Sequence, residues 1–500
     1  MRRSWASFGC VSHSRCAIIT LVSEQQSEPL RKRVLRGSAY LTIRNGVSVL
    51  LSLIGSVLVT RIVGPDSYGL FMAASSIFAY LNTLISPGVV AYLIREQSSE
   101  SVEQYHLAFW WLLGLGSVMT ALASGVVLVL SAISEQDASF VLMAVLLFIW
   151  LPVAQISAVP QAILERDLDY RGLATVQIAA QVGTYALTIP LAQLGLGKWA
   201  LVAGFWAGQT IQAVGYYAKA RYSPRWHWSS AQWKQMWHYS FSRALAGWIY
   251  NLREITPSLI LFPLAGERAM GYYALADRLI KMMGFLYNAF GGVSFAAFAR
   301  IQHDRARFTK AIQETIQYLV AFLGATLSVF GAVVGVIVSW FLGAKWDAVT
   351  IQQLCIIMAS RVLITTASGI QTQALYVVGQ NWLRVRASIV FIITFIMLNW
   401  LVLSRAPVAY IPFLFAIVDL LAHIPVYVYD IYGTRRYIGR LDYRLILIWL
   451  AAAHAALLAP LISYWLYAVA IALLVHPMSI EGVIGMARSF RSHYWRRRNT

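Results

Sequence analysis

Long apolar stretches, separated by short polar loops, recur along the chain from residue 38 to residue 476. A transmembrane helix needs about 20 mostly apolar residues to cross roughly 30 Å of hydrocarbon. The last two stretches are short and are separated only by Pro460, so the pattern predicts 12–14 transmembrane helices in an all-α, polytopic membrane protein. The predicted spans are 38–62, 68–94, 106–131, 138–164, 173–194, 199–219, 239–263, 270–298, 311–342, 348–378, 387–403, 408–429, 445–459 and 461–476.

The amino-acid composition shows that this chain is not a set of soluble domains. Of the 500 residues, 59% are hydrophobic and only 12% are charged, and the mean hydropathy is +0.62. A soluble chain carries about 25% charged residues. The chain is therefore expected to lie almost entirely within a membrane.

The net charge of +19 would suggest nucleic acid in a soluble protein, but here its distribution gives another reading. With the N-terminus placed inside, the inner segments hold 29 of the 40 Lys and Arg residues, and the outer loops hold 5. Positive residues concentrate in cytoplasmic loops. We predict a bacterial inner (plasma) membrane location with both termini cytoplasmic, and no nucleic-acid partner.

Nothing in the sequence indicates catalysis. Cys10, Cys16 and Cys355 have no metal-ligand spacing, and no HExxH, GxSxG or Walker motif is present. Every predicted outer loop is short, and the first, 64–68, holds a single acid. We therefore expect a transporter rather than an enzyme, with no metal and no cofactor.

An internal repeat predicts two lobes. Gly64 and Gly69 follow the first span, Gly266 and Gly271 follow the seventh, and the offset is 202 residues. An even number of spans separates the copies, so both halves should face the same way, related by an axis along the membrane normal with a central cavity between them. The predicted organisation is a basic cytoplasmic tail (1–37), an N-lobe of six spans (38–220), an amphipathic cytoplasmic connector (221–238), a C-lobe of six spans (239–430), a basic loop with two short additional spans (431–478) and a basic cytoplasmic tail (479–500).

The connector is predicted to be a helix on the membrane surface. Ser229 and Gln232 have capping-box spacing, and Trp233, Met236 and Trp237 fall on one helical face. Such a helix would join the two lobes and anchor them to the cytoplasmic side of the bilayer.

Ionisable residues inside the spans are the candidate functional residues, because a charge in lipid is costly and usually marks a pathway or a pair. Arg44 and Arg243 lie close enough to a span end to snorkel to the interface. Arg253 and Arg361 lie deep, and a plain salt bridge to Asp419 is the alternative to a role in transport. The full set is Arg44, Arg243, Arg253, Glu254, Asp277, Arg278, Lys281, Arg361 and Asp419.

One helical face of the eighth span is predicted to line a cavity. Asp277 and Lys281 are four residues apart and can pair, and Asn288 returns to the same face. Arg278 points about 100° away. Glu254 cannot share the direction of its neighbour Arg253 and is expected to serve another helix.

Five segments carry a family resemblance: Thr60–Phe71, Gly266–Leu279, Phe298–Phe308, Leu342–Trp346 and Ala374–Gly379. Together they resemble the polysaccharide transporter family of O-antigen and exopolysaccharide flippases, within the multidrug/oligosaccharidyl-lipid/polysaccharide exporter superfamily, over about residues 36–430. The resemblance implies a lipid-linked oligosaccharide on polyprenyl pyrophosphate as substrate and a role in surface polysaccharide synthesis, including lipopolysaccharide. It also implies membrane lipids, a polysaccharide polymerase and chain-length proteins as partners.

The predicted substrate site is a water-filled cavity in which fixed cations replace part of the hydration of a pyrophosphate, with the lobes rocking to give alternating access. A multidrug exporter of the same superfamily is an alternative, but it should have an acidic, aromatic cavity. A membrane polymerase or glycosyltransferase needs larger outer loops, and a structural scaffold has no need of buried cations. The predicted substrate-binding residues are Arg44, Arg253, Asp277, Arg278, Lys281, Arg361 and Asp419.

Overall fold

The computed structural model describes residues 30–86, 88–95, 101–134 and 138–484, and in these ranges every regular element is helical. The all-α prediction is thus confirmed. The helices are α1 Leu30–Val63, α2 Pro65–Ile85, α3 Val89–Arg95, α4 Ser101–Ser134, α5 Ala138–Phe148, α6 Leu151–Ile156, α7 Ala158–Arg166, α8 Tyr170–Gln193, α9 Lys198–Ala220, α10 Ser230–Thr256, α11 Phe262–Ile301, α12 Arg305–Leu342, α13 Ala348–Val377, α14 Asn381–Leu403, α15 Ile411–Tyr437, α16 Arg444–Leu458, α17 Trp465–Val475 and α18 Pro477–Ile484.

Eight helical segments within the described ranges are long and apolar enough to cross a membrane, or nine if the bent pair α17–α18 counts as one. Helices α5 to α7 together form one of the eight. Four further predicted spans coincide with α8, α9, α10 and α11, which are long but carry more polar and charged residues. These four helices bring many of the polar side chains that line the cavities described below.

Aspartates mark where three of the long helices begin. Asp169, Asp304 and Asp347 each precede a helix, and each carboxylate accepts a backbone N–H two or three residues further on at 2.8–3.1 Å. Such caps satisfy donors that the first helical turn leaves without partners. The loops before α8, α12 and α13 are therefore fixed by local sequence.

The prediction that residues 221–238 form a separate helix on the membrane surface is wrong. Residues 222–229 are not helical, and α10 begins at Ser230 and continues without interruption to Thr256. The predicted cap is present, since Ser229 Oγ accepts the Gln232 N–H at 3.4 Å. No proline or glycine stands near residue 238 to end the helix, so the connector and the seventh span are one element.

The apolar face of the first turns of α10 packs against protein. Trp233 and Trp237 meet Trp111 of α4 edge to face, with ring centroids 5.3 and 5.8 Å apart. Met236 is almost fully buried. The predicted amphipathic stripe is real, and the structure uses it for helix packing.

The last predicted boundary, at residue 478, falls inside a helix. Helix α17 bends by 60° at residue 476 and continues as α18 to Ile484, and Ser479 is completely buried. The first part of the predicted basic tail therefore belongs to the helical body, because the apolar residues around Ile480 continue the hydrophobic pattern beyond the bend.

The two glycine motifs have matching backbone conformations. Gly64 has φ 82° and ψ 171°, and Gly266 has φ 79° and ψ −174°. Only glycine adopts such angles readily, because a side chain would clash with its own backbone. Gly64 separates α1 from α2, and Gly266 breaks α11 near its start, so both copies of the repeat make the same sharp turn.

Helices α2 and α11 then cross at the second glycine of each motif. A Cβ atom on Gly69 would lie 1.9 Å from the Glu267 carbonyl oxygen, and one on Gly271 would lie 2.1 Å from the Pro65 carbonyl oxygen. The same 202-residue offset relates both partners in these contacts. Reciprocal contacts of this kind are what a two-fold relation between the copies produces. Superposition of the complete lobes stays a prediction.

Polar contacts surround this crossing. Arg268 donates two hydrogen bonds to Asp66 at 3.1 and 3.2 Å, although both side chains are largely exposed. Lys345 donates to the Ile62 carbonyl at 2.6 Å, and the Trp346 indole donates to the Thr60 carbonyl at 2.8 Å. The N-terminal half (α1–α9) and the C-terminal half (α10–α15) are therefore joined tightly at this end.

Candidate functional site

One buried carboxylate organises the charged residues of the C-terminal half. Asp419, on α15, accepts hydrogen bonds from Nε and one terminal nitrogen of Arg253 at 3.0 and 3.1 Å. Nε of Arg361 lies 3.1 Å from Oδ2 of Asp419, the oxygen that also accepts from the terminal nitrogen of Arg253, although it is not aligned for a hydrogen bond. The salt bridge that the sequence left as an alternative is present, and it involves both arginines.

A second group of charges lies beside the first. Lys281 Nζ is 2.5 Å from Glu254 and 2.8 Å from Asp277, which confirms the predicted pairing of Asp277 with Lys281. Glu254 serves another helix, as expected, but it also lies 3.9 Å from a terminal nitrogen of its neighbour Arg253, whose direction it was not expected to share. Arg361 is also 4.0 Å from Asp277 and so links the two groups into one network.

This network is electrically balanced. The nine ionisable residues predicted inside the spans are six cations and three carboxylates, but each cation of the network has a carboxylate partner. The members are Arg253, Lys281 and Arg361 against Glu254, Asp277 and Asp419. The remaining described intramembrane cation, Arg278, lies apart from it, and the side chains of Arg44, Arg243 and Asn288 lie outside the described residues.

Arg278 points toward the N-terminal half, as its position one residue after Asp277 predicted. It donates to the Ser52 hydroxyl at 2.8 Å and to the Tyr185 hydroxyl at 2.9 Å, and it lies 3.5 Å from the Tyr68 hydroxyl. Its partners on α1, α2 and α8 all belong to the other half. A single guanidinium thus connects the two halves in mid-structure.

A central cavity of about 500 Å³ lies between the halves. Residues from α1, α2 and α8 line one side, and residues from α10, α11 and α15 line the other. Five of the predicted site residues reach it: Arg253, Asp277, Arg278, Lys281 and Asp419.

Arg361 lines a different space, contrary to the prediction of one shared cavity. A charged cavity of about 560 Å³ within the C-terminal half is lined by Arg361 together with Arg384 and His423. The Arg361 side chain is only 8% exposed. The residues shared by the central and charged cavities are Arg253, Glu254 and Lys281.

A third space, the glutamine cavity, lies in the N-terminal half and has a volume of about 350 Å³. Helices α8 and α9 supply most of its wall, including four glutamines: Gln177, Gln181, Gln209 and Gln212. It shares Met72, Gln181 and Arg278 with the central cavity. The three spaces therefore follow one another across the molecule.

The sequence interpretation missed the polar wall of the N-terminal half. Gln177, Gln181, Thr184 and Thr188 recur at i, i+4, i+7 and i+11, which places them on one face of α8. This stripe within an otherwise apolar span was the available signal. The contact of Gln181 with Ser48 of α1, at 2.7 and 2.9 Å, could not be foreseen because 133 residues separate them.

A helical bundle with cavities between its halves and a charged network inside the membrane is the architecture of a membrane transporter, not of an enzyme. Residues 58–351 match the family described as "Polysaccharide biosynthesis protein". This is more than half of the chain, and the protein belongs to that family. The resemblance inferred from the five sequence segments is confirmed.

Two named relatives agree with this assignment. The chain is 23% identical over 292 residues to the succinoglycan biosynthesis transport protein ExoT of Rhizobium meliloti, and this match spans 58% of each protein. It is 22% identical over 343 residues to the lipopolysaccharide biosynthesis protein WzxC of Escherichia coli, covering 66% of this chain and 67% of the relative.

Solved structures show the same fold. The lipid II flippase MurJ in an inward closed conformation superposes with a TM-score of 0.66 at 13% identity, over 91% of this chain and 99% of that one. An inward-facing multidrug resistance transporter of the MATE family superposes with a TM-score of 0.63 at 13% identity, over 79% of this chain and 98% of that one.

Proposed function

We propose that this protein is a flippase that moves an oligosaccharide linked to polyprenyl pyrophosphate across the bacterial inner membrane for surface polysaccharide synthesis. The observation that carries the proposal is the central cavity, which lies between two halves of a transporter fold and is bordered by cations. Family membership and the printed functions of the relatives support it.

Lys281 is the cation best placed to meet an incoming anion. Its side chain is 52% exposed, and Glu254, one of its two partners, is 46% exposed. A pyrophosphate carries more charge than a carboxylate and offers more acceptor oxygens, so it can take the place of Glu254 beside Lys281. Because Lys281 is already held in place by Asp277, little further ordering of its side chain is needed on binding.

Arg253 and Arg361 have a different role in this proposal. Both are held by Asp419, and all three side chains are mostly buried. Breaking these pairs would leave unpartnered charges at a cost of several kcal/mol. They therefore form the fixed wall of the site, and Lys281 and Glu254 form its exchangeable part.

Alternating access would follow from rocking of the halves. In this structure they meet at the glycine crossing and at the Asp66–Arg268 pair. Opening this end would expose the central cavity to the other side of the membrane, while the polyprenyl chain stays in lipid. From the charge count, the closed end faces outward and both termini face the cytoplasm.

Multidrug export is the second candidate, and the balanced network is the observation that favours it. Exposed Glu254, next to Asp277, could hold a cationic drug as readily as Lys281 could hold a phosphate. Only a functional measurement separates these ligands of opposite charge.

The test uses a strain that lacks this protein and measures its surface polysaccharide and its inner-leaflet lipid-linked oligosaccharide. Complementation with Lys281→Met should reduce export at least tenfold, because the exchangeable cation is lost, whereas Lys281→Arg should retain most of it. Membrane protein level is the control. Normal surface polysaccharide in the deletion strain, accompanied by greater sensitivity to cationic drugs, would contradict the proposal and support multidrug export.

A further inference from the structure

We propose that the glutamine cavity binds the sugar residues of the substrate next to its pyrophosphate. This inference rests on the function proposed above, and it divides substrate recognition between the halves. The central cavity receives the anion, and the N-terminal half receives uncharged sugar.

The chemistry of the wall suits a neutral, hydroxyl-rich ligand. Each glutamine side chain offers two N–H donors and an acceptor oxygen, which matches sugar hydroxyls that both donate and accept. Among the residues lining this cavity Arg278 is the single charged one, and no carboxylate is present. Phe71 and Phe205 add apolar ring surface for the C–H faces of a sugar ring.

Two of the four glutamines are the least committed to internal contacts. Gln177 donates to the Tyr216 hydroxyl at 2.8 Å, and Gln181 is held by Ser48. By contrast, Gln212 reaches Tyr216 only at 3.5 Å, and within the described part of the chain the Gln209 side chain makes no hydrogen bond. Polar amides inside a membrane protein need partners, so Gln209 and Gln212 are the groups expected to contact a ligand.

The threonines of the same wall are not available in this way. Thr184 donates to the Ala180 carbonyl at 2.9 Å, and Thr188 donates to the Thr184 carbonyl at 2.7 Å. Both hydroxyls are used within α8, where they also pack against the glycines of α9 at 204 and 208. Recognition therefore falls to the amides of α9.

The covalent structure of the substrate matches the order of the cavities. The first sugar is bonded directly to the pyrophosphate, so its site must adjoin the site of the anion. Gln181 and Arg278 line both spaces, and the central cavity adjoins the glutamine cavity at these residues. A cavity of about 350 Å³ is within the usual range for small-ligand sites.

The charged cavity of the C-terminal half is less suitable for neutral sugar. Arg361, Arg384 and His423 line it. A neutral sugar would displace water from these side chains without offering them a partner of opposite charge, which is unfavourable. Its composition fits an acidic group, whereas the glutamine cavity fits hydroxyls.

The experiment measures binding to the purified full-length protein in lipid nanodiscs with two probes. One is polyprenyl pyrophosphate without sugar, and the other is the same lipid carrying the oligosaccharide repeat extracted from the source strain. The double variant Gln209→Leu, Gln212→Leu should bind the sugar-bearing lipid about tenfold more weakly, through two lost hydrogen bonds, and the bare lipid normally. The matched control is Gln193→Leu, an exposed residue of α8 that lines none of these cavities.

The outcomes separate this inference from the proposed function. Equal weakening for both lipids, or no change for either, would show that the glutamine cavity does not hold sugar. A wild-type protein that binds both lipids equally would contradict this inference alone, and one that binds neither would contradict the proposed function as well. If the double variant is not recovered folded, the single variant Gln209→Leu, which removes no internal hydrogen bond, takes its place.

Discussion

The two halves of this protein share a sharp glycine turn and a reciprocal helix crossing, yet their interiors differ in chemistry. The N-terminal half presents amides and hydroxyls, with no charged group of its own in the glutamine cavity. The C-terminal half holds six ionisable side chains in one network. The two copies of the repeat thus share the backbone geometry at which the halves meet, while each half has its own polar lining. This asymmetry suits the proposed substrate, which has a charged part and an uncharged part.

The largest effect is expected in the charged network of the C-terminal half. Asp419→Asn would leave Arg253 and Arg361 buried without their shared carboxylate, and we expect a loss of about 3–5 kcal/mol of stability. The thermal unfolding temperature of the purified protein and its level in the membrane measure this. Asp442→Asn, at an exposed position in the loop before α16, is the control and should behave as wild type. An Asp419→Asn protein of normal stability would show that these arginines reach water or another partner.

The next prediction tests what the halves share. Gly69→Ala would place a methyl group 1.9 Å from the Glu267 carbonyl oxygen, and this backbone atom cannot move aside easily. We expect the closed crossing to be destabilised by about 1–3 kcal/mol, with transport reduced and the central cavity more accessible to thiol reagents. Gly271→Ala should have a similar effect, because its contact is reciprocal.

Gly125→Ala provides the matched control for this pair, since no atom lies within 4 Å of the added methyl. Unequal effects of the two crossing variants would contradict the two-fold relation. Normal transport by both would show that the crossing does not need to close.

The smallest effect is expected at the exposed pair beside the crossing. Asp66→Asn should change stability by less than about 1 kcal/mol, because surface ion pairs contribute little. Transport rates of wild type and variant should converge as salt is raised to about 1 M, where charges are screened over roughly 3 Å. A large loss of transport at every salt concentration would give Asp66 a role beyond this ion pair.

Much of the fold could be predicted because membrane thickness fixes the length of an apolar span. Helix ends and bends that do not coincide with the end of an apolar stretch could be predicted less well. A helix start such as Ser229 carries a local signal in its side chain. The end predicted at residue 238 had no such signal, since no proline or glycine stands there, and α10 continues through it. The apolar pattern hardly changes at residue 476, so the sequence does not indicate the bend there.

The members of the charged network could be predicted from the sequence, but their arrangement could be predicted less well. The cost of burying charge singled out Arg253, Arg361 and Asp419, and helical spacing gave the pairing of Asp277 with Lys281. Which cavity each residue lines depends on how α10, α13 and α15 are rotated against one another. This is why Arg361 was predicted to line the central cavity, although the structure places it on the charged cavity.

The uninterrupted course of α10 has a mechanical consequence. Its 27 residues form a rod about 40 Å long, with Trp233 and Trp237 packed on α4 near one end and Arg253 and Glu254 at the other. A hinge near residue 238 would have let the inner end move alone. Without one, we expect a tilt of the tryptophan end to displace the ion pairs that border the central cavity, so that α10 would transmit movement from its packing on α4 to the proposed binding site.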